Sequence, residues 1–128
     1  MPTVPGISVQ HVINIASQTE WSDIVRGVYD LLGRKLTAYL AGMRDTKAVT
    51  RWIDGTTMQA RSIKTEQRVR EAFVICELLL AVGEAPSTIR AWFMGMNPEL
   101  YDEAPVEATR AGRLREVRVA AFAFAGGA

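Results

Sequence analysis

The stretch Gly42-Met43-Arg44-Asp45-Thr46-Lys47-Ala48-Val49-Thr50-Arg51-Trp52-Ile53-Asp54-Gly55 reads as a tight turn, a short helix and a glycine stop. Gly42 suits the turn because a residue without Cβ takes positive φ unstrained. Asp45 or Thr46 can cap the helix through a side-chain oxygen. Val49, Trp52 and Ile53 fall at i, i+3 and i+4 on one inward face. Thr46, Lys47, Thr50 and Arg51 are left outward, with Arg44 in the turn. A turn followed by a helix with a basic, hydroxyl-rich outer face is the pattern of a helix-turn-helix, whose side chains reach phosphates and base edges in a major groove. The same pattern also occurs in all-helical proteins that touch no nucleic acid, where the charged face is simply solvated. Gly42 to Val49 is one residue longer than the tightest helix-turn-helix spacing, so the turn is loosened or the second helix starts late.

Working outward, Arg34 to Ala41 forms the preceding helix, with Leu36 and Leu40 inward. Before it, the stripe Trp21, Ile24, Val25, Val28, Leu31, Leu32 keeps helical period and Gly33 stops it. Ser17 and Glu20 have capping-box spacing ahead of that stripe. Residues 1–17, with Pro2, Pro5 and Gly6 and then the short apolar run Val9 to Ile15, read as an irregular arm with at most a brief strand or helical turn. After Gly55 a connector returns the chain to the longest periodic run, near Thr65 to Val82. There Val69, Ala72, Phe73, Cys76, Leu79 and Leu80 keep the 3-4 spacing, and Val74, Ile75 and Leu78 widen the apolar surface. Such a helix belongs at the centre, packed by both halves of the chain or by a second subunit. Gly83 ends it and Pro86 starts Pro86 to Met94, which buries Ile89, Trp92 and Phe93. Met96-Asn97-Pro98 breaks the chain. Pro105 to Ala111 and Leu114 to Phe124 complete it, the last with Leu114, Val117, Ala121 and Phe124 on one side. The expected fold is all-α: an irregular arm (1–17), a helix-turn-helix-like lobe (18–64), a central helix (65–82) shared by both lobes, and a small C-terminal helical domain (83–128).

Composition excludes more than it selects. The 128 residues carry a net charge of +1, which by itself points to no nucleic-acid partner. Distribution is more telling: nine of the 15 basic residues but three of the 14 acidic ones lie between Gly33 and Arg70. Between Gly83 and Glu107, five carboxylates face Arg90 alone, so two surfaces with two partners are expected. One cysteine, Cys76, and one histidine, His11, permit neither an internal disulfide nor a histidine/cysteine metal cluster. Cys76 falls on a helical stripe, where cysteine behaves as a small hydrophobe. Met1 to Ser17 lacks the basic start and cleavage pattern of a signal peptide, and no apolar run of about 18 residues is present to span a bilayer. A reducing cytoplasm is the expected location. The carboxylates are scattered, no glycine-rich phosphate loop is present, and no nucleophile stands beside a base. No enzyme, metal, cofactor or small-molecule substrate is therefore expected.

The two halves together resemble the Xre/MbcA/ParS type of antitoxin. The first half offers Val49-Thr50-Arg51-Trp52-Ile53-Asp54-Gly55, similar to the valine, arginine-tryptophan and glycine pattern that closes the helix-turn-helix of Xre-like proteins. The second offers Ala91-Trp92-Phe93, Asn97-Pro98 with Leu100, Pro105-Val106-Glu107, Arg110-Ala111-Gly112 and Val117, similar in order and spacing to the family's toxin-binding domain. The likeness runs over roughly residues 20 to 125. It departs between Leu100 and Pro105, where the family usually carries a glycine pair and this chain has Tyr101-Asp102-Glu103-Ala104. The usual cap before that proline is replaced by Ala104. The final helix ends in alanine and phenylalanine rather than leucine or isoleucine. The resemblance implies an antitoxin that docks on a RES-domain, NAD-consuming toxin through its C-terminal domain and last helix, and represses its own promoter as a dimer through its N-terminal half.

Two sets of candidate residues follow. For double-stranded DNA, Arg44, Thr46 and Lys47 stand at the front of the reading helix for base edges, and Thr50 and Arg51 stand beside them for phosphates. Arg61 and Lys64 extend the basic surface. For the toxin, the resemblance points to Trp92, Asn97, Pro98 and Leu100. The last helix adds Arg113 and Arg118 as a charged face, and Phe122 and Phe124 as core or interface anchors. Other readings of the same residues are a free-standing regulator or phage-type repressor that dimerises through the C-terminal domain, and an interaction module whose helix-turn-helix no longer reads DNA.

Overall fold

The computed structural model describes Gly6, residues 8–55 and residues 62–126. The fold is all-α, as the periodicities require. Its helices are α1 (Val9–Gln18), α2 (Trp21–Ala41), α3 (Lys47–Asp54), α4 (Ile63–Ala81), α5 (Pro86–Met94), α6 (Pro105–Arg110) and α7 (Leu114–Phe124). A 3₁₀ turn, Pro98–Leu100, joins α5 to α6.

α4 is the axis. It packs against α1, α2, α5, α6 and α7, while α3 rests on α2. Apolar side chains around most of its circumference need this: Val69, Ala72, Phe73, Val74, Ile75, Cys76, Leu78 and Leu79 are all buried. Ser62 accepts a hydrogen bond from the Thr65 N–H and so satisfies one of the orphan donors at its start. α2 crosses α4 closely at Gly27, where a Cβ would stand 2.7 Å from Cε1 of Phe73.

Two local readings are corrected. Residues 9–18 are helical, not part of an irregular arm; Ser8 caps α1 by accepting the His11 N–H, and Val9, Val12 and Ala16 are buried on one face. The proline and glycine cluster ends before Ser8, and three turns of 3-4 spacing follow it. The Ser17–Glu20 capping box does not form, because Ser17 lies inside α1 and its hydroxyl donates to the Asn14 carbonyl. Gly33 stops one helix, yet the next continues from it with little change of element. At φ 82°, ψ 171° it occupies a region open essentially to glycine, so α2 bends there. Below the bend Ile24, Val25, Val28 and Leu32 are buried; above it Thr37, Ala38, Leu40 and Ala41 are.

The expected lobes share one core. Val28, Leu40, Val49, Ile75, Phe93, Leu100 and Val117 belong to a single buried cluster. A smaller cluster of Val9, Leu78 and Phe122 ties the start of α1 to the end of α7 across α4. On α7 the inward set is Val117, Ala120, Ala121 and Phe122, whereas Phe124 is 41% exposed and off the expected stripe. Between the 3₁₀ turn and α6, Tyr101 (φ 55°) and Asp102 (φ 66°) both take the left-handed conformation. They lie in the segment where the resembling family has its glycines. Asn97 organises this turn: its side chain accepts the Glu99 N–H, and its carbonyl accepts the N–H groups of Leu100 and Asp102.

Candidate nucleic-acid and partner interfaces

α3 is held from below by two side chains. Val49 is fully buried, and Trp52 packs edge-on to Trp21 with ring centroids 5.3 Å apart. Asp45, not Thr46, supplies the helix-start acceptor, its Oδ1 lying 2.9 Å from the Lys47 nitrogen. The longer spacing of this segment is absorbed in the turn, and α3 starts only at Lys47. At the other end Gly55 takes φ 64° and its N–H returns to the helix carbonyls.

With Val49 and Trp52 inward, Arg44, Lys47, Thr50 and Arg51 are exposed and Thr46 is half-buried. Arg44 and Thr46 also edge an open cleft of about 350 Å³ with Lys35, Tyr39 and Met43. Lys64 is exposed on the first turn of α4, and Arg61 lies outside the described residues. Of the expected DNA-facing set, Arg44, Thr46, Lys47, Thr50 and Arg51 therefore sit together on the turn and one helix.

The turn into α3 is clamped by α6, which sequence reasoning missed. Arg110 donates to the carbonyls of Tyr39 (2.7 Å) and Met43 (3.4 Å), where α2 ends and helical N–H partners run out; the Tyr39 carbonyl also accepts the Gly42 N–H. Its guanidinium lies 4.4 Å from the centre of the Tyr39 ring. The Tyr39 hydroxyl donates to the Glu107 carboxylate, Oε1 at 2.6 Å and Oε2 at 2.7 Å. That hydrogen bond to an anion, with desolvation second, raises the Tyr39 pKa above its ordinary value. Tyr39 and Glu107 are 68 positions apart, so no local pattern could have paired them.

The expected partner residues divide sharply. Trp92, Asn97, Leu100 and Phe122 are buried inside the chain, so they shape the C-terminal half rather than touch a partner in this conformation. Each sits on an inward helical position or in the organised turn. Arg113 and Arg118 are half-buried and engaged within the chain. Arg113 pairs with Glu103 and with Glu116, and these hydrogen bonds, that to Glu103 first, raise its pKa. Arg118 makes a two-point ion pair with Glu71, at 2.8 and 2.7 Å. Pro98 and Phe124 remain at the surface, Phe124 leaning on the Trp92 ring at 6.0 Å between centroids. The large apolar side chains left exposed on α5, in the segment after it and on α7 are Met94, Met96, Tyr101, Val119 and Phe124, with Tyr101 the most exposed at 89%. Tyr101 and Val119 line one shallow depression with Glu99, Arg115 and Glu116. The signal of Tyr101 and Val119 in the sequence was negative: they fall outside every expected buried stripe.

Among the described residues no group of three or more His, Cys, Asp or Glu side chains could hold a metal ion. No described helix is long and apolar enough to cross a membrane. Comparison with known protein families, curated proteins and solved structures returns no match to this chain.

Proposed function

We propose that the protein is a DNA-binding antitoxin: α3 reads the major groove of its own promoter, and the C-terminal half holds a RES-type, NAD-consuming toxin. What supports the DNA half is the division of α3, with Val49 and Trp52 inward and Lys47, Thr50 and Arg51 together outward. What supports the partner half is the exposed apolar set on α5, the strained turn and α7, added to the resemblance. Two copies on a palindromic operator would place two α3 helices about 34 Å apart. The competing reading, a free-standing regulator, uses the same apolar surface for self-association.

The decisive experiment pairs two assays. Fluorescence anisotropy with the gene's own promoter should show binding that Arg44→Ala/Lys47→Ala weakens without loss of helical circular dichroism. Each lost phosphate contact should flatten the salt dependence by roughly one logarithmic unit per decade. Co-expression with the adjacent gene product should rescue growth, and Tyr101→Asp/Phe124→Asp should abolish the rescue. Deleting α7 is not a usable alternative, because Val117 and Ala121 are fully buried core. If the promoter is not bound above random duplex, the DNA half fails. If no adjacent toxin is neutralised while promoter binding persists, the regulator reading replaces the antitoxin.

A further inference from the structure

The described residues include five half-buried arginines: Arg68, Arg70, Arg110, Arg113 and Arg118. Four have acceptors. Arg70 donates to the carbonyls of Ala16 and Thr19, where α1 ends. Arg110 donates to Tyr39 and Met43, Arg113 meets two glutamates, and Arg118 meets Glu71. Arg68 has none: its Nε is buried and donates to no acceptor among the described residues. A buried donor without a partner is costly, and one carrying a delocalised positive charge is more so.

Its surroundings show what it could take. Lys64, Gln67, Arg68 and Glu71 recur along one face of α4. At Glu71 the facing helix α7 supplies Arg118. One turn earlier the facing chain is the α6–α7 turn at Ala111 and Gly112, which brings no carboxylate. Between them lies a pocket of about 260 Å³ lined by Lys64, Gln67, Arg68, Ala111, Gly112 and Leu114. Among the described residues, two cations and one amide donor therefore line this space and no anionic side chain does. Pockets for drug-sized ligands are mostly larger, about 300–1,000 Å³. A tetrahedral oxyanion suits this lining: Arg68 brings a delocalised cation carrying several N–H donors, and Lys64 adds a point charge.

We infer that this pocket binds a phosphate-type oxyanion through Arg68 and Lys64. The phosphate has two possible sources, a backbone phosphodiester of bound DNA or a free phosphate or phosphomonoester. The inference stands without the DNA-binding reading. It also reaches the reading helix, because Nη1 of Arg68 lies 2.9 Å from where a Cβ on Gly42 would be, against the turn that leads into α3.

The test is a titration of the full ¹⁵N-labelled chain with inorganic phosphate, against chloride at constant ionic strength. Saturable amide shifts are expected at residues 64–68, at Ala111–Gly112 and at Gly42, with the Arg68 Nε–H signal moving alongside. Arg68→Met should weaken binding by about tenfold or more, as loss of a charge-assisted hydrogen bond requires. Lys64→Met, at an exposed position, carries the same test should Arg68→Met fail to fold. A second arm, without free phosphate, measures duplex affinity: a salt slope lowered by about one unit in Arg68→Met assigns the site to DNA. An unchanged slope beside phosphate shifts assigns it to a free anion. Shifts that rise linearly without saturating, or that persist unchanged in both variants, overturn the inference.

Discussion

Tyr101 and Asp102 are consecutive non-glycine residues at φ 55° and 66°, and replacing either with glycine should stabilise the protein. For an L-residue the left-handed region costs about 1–2 kcal/mol relative to ordinary backbone. Glycine escapes that penalty but makes the unfolded chain more disordered, which returns about 0.5–1 kcal/mol. Tyr101 is 89% exposed, so its removal forfeits little buried surface. The net gain for Tyr101→Gly is then about 0.5–1 kcal/mol, or roughly 2–5 °C in Tm for a chain of this size. Asp102→Gly should gain less, because aspartate tolerates this conformation better than tyrosine does. Its backbone bond to the Asn97 carbonyl needs no side chain and is kept. Thermal melts followed by circular dichroism check this, with Tyr101→Ala as the control that removes the ring and keeps the strain. Should Tyr101→Ala raise Tm as much as Tyr101→Gly, or the glycine variant lower it, backbone strain is not what the turn stores. If Tyr101 anchors a partner, Tyr101→Gly also separates stability from function, gaining the first and losing the second, whereas Asp102→Gly keeps both.

Three further outcomes follow from packing and charge. Gly27→Ala gains about 1 kcal/mol of helix propensity but drives a Cβ to 2.7 Å from the buried Phe73 ring, so a net loss of about 1–2 kcal/mol is expected by urea denaturation; Phe73→Leu in the same chain should recover part of it. Arg118→Leu leaves Glu71, whose side chain is 10% exposed, without its partner and should cost about 2–4 kcal/mol, whereas Glu71→Leu/Arg118→Leu should cost much less; equal losses in the single and double variants would show that the pair carries no coupling. Burial, then the nearby Glu77 charge, pushes the Cys76 thiol far above its ordinary range, so the native thiol should resist Ellman's reagent at pH 8 and label at the rate of unfolding. Because the folded thiol keeps its proton longer than the unfolded one, its contribution is intact below about pH 8.5 and declines as pH rises beyond it, a slope that Cys76→Ala should remove.

Helices α2 to α7 were legible in the sequence, because most are runs of 3-4 apolar spacing and all are bounded by residues with their own backbone preferences. Pro86 and Pro105 open α5 and α6, Gly42 and Gly55 bracket α3, and α7 runs from Leu114 to Phe124 as its periodicity demands. The inward Val49 and Trp52, and hence the outward Lys47, Thr50 and Arg51, were equally legible, since one helix period fixes both faces. α1 was obscured by the prolines ahead of it, although its cap and stripe were written in Ser8, Val9, Val12 and Ala16. Only the tertiary structure decided which side chains meet across the chain. Arg118 found Glu71, Arg110 and Glu107 clamped Tyr39, Arg68 Nε was left without an acceptor among the described residues, and Trp92, Leu100 and Phe122 went inside while Met96 and Tyr101 stayed out. Helix period is a local property of a few consecutive residues, whereas the pairing of charges and the choice of buried aromatic rings depend on how helices distant in sequence cross one another.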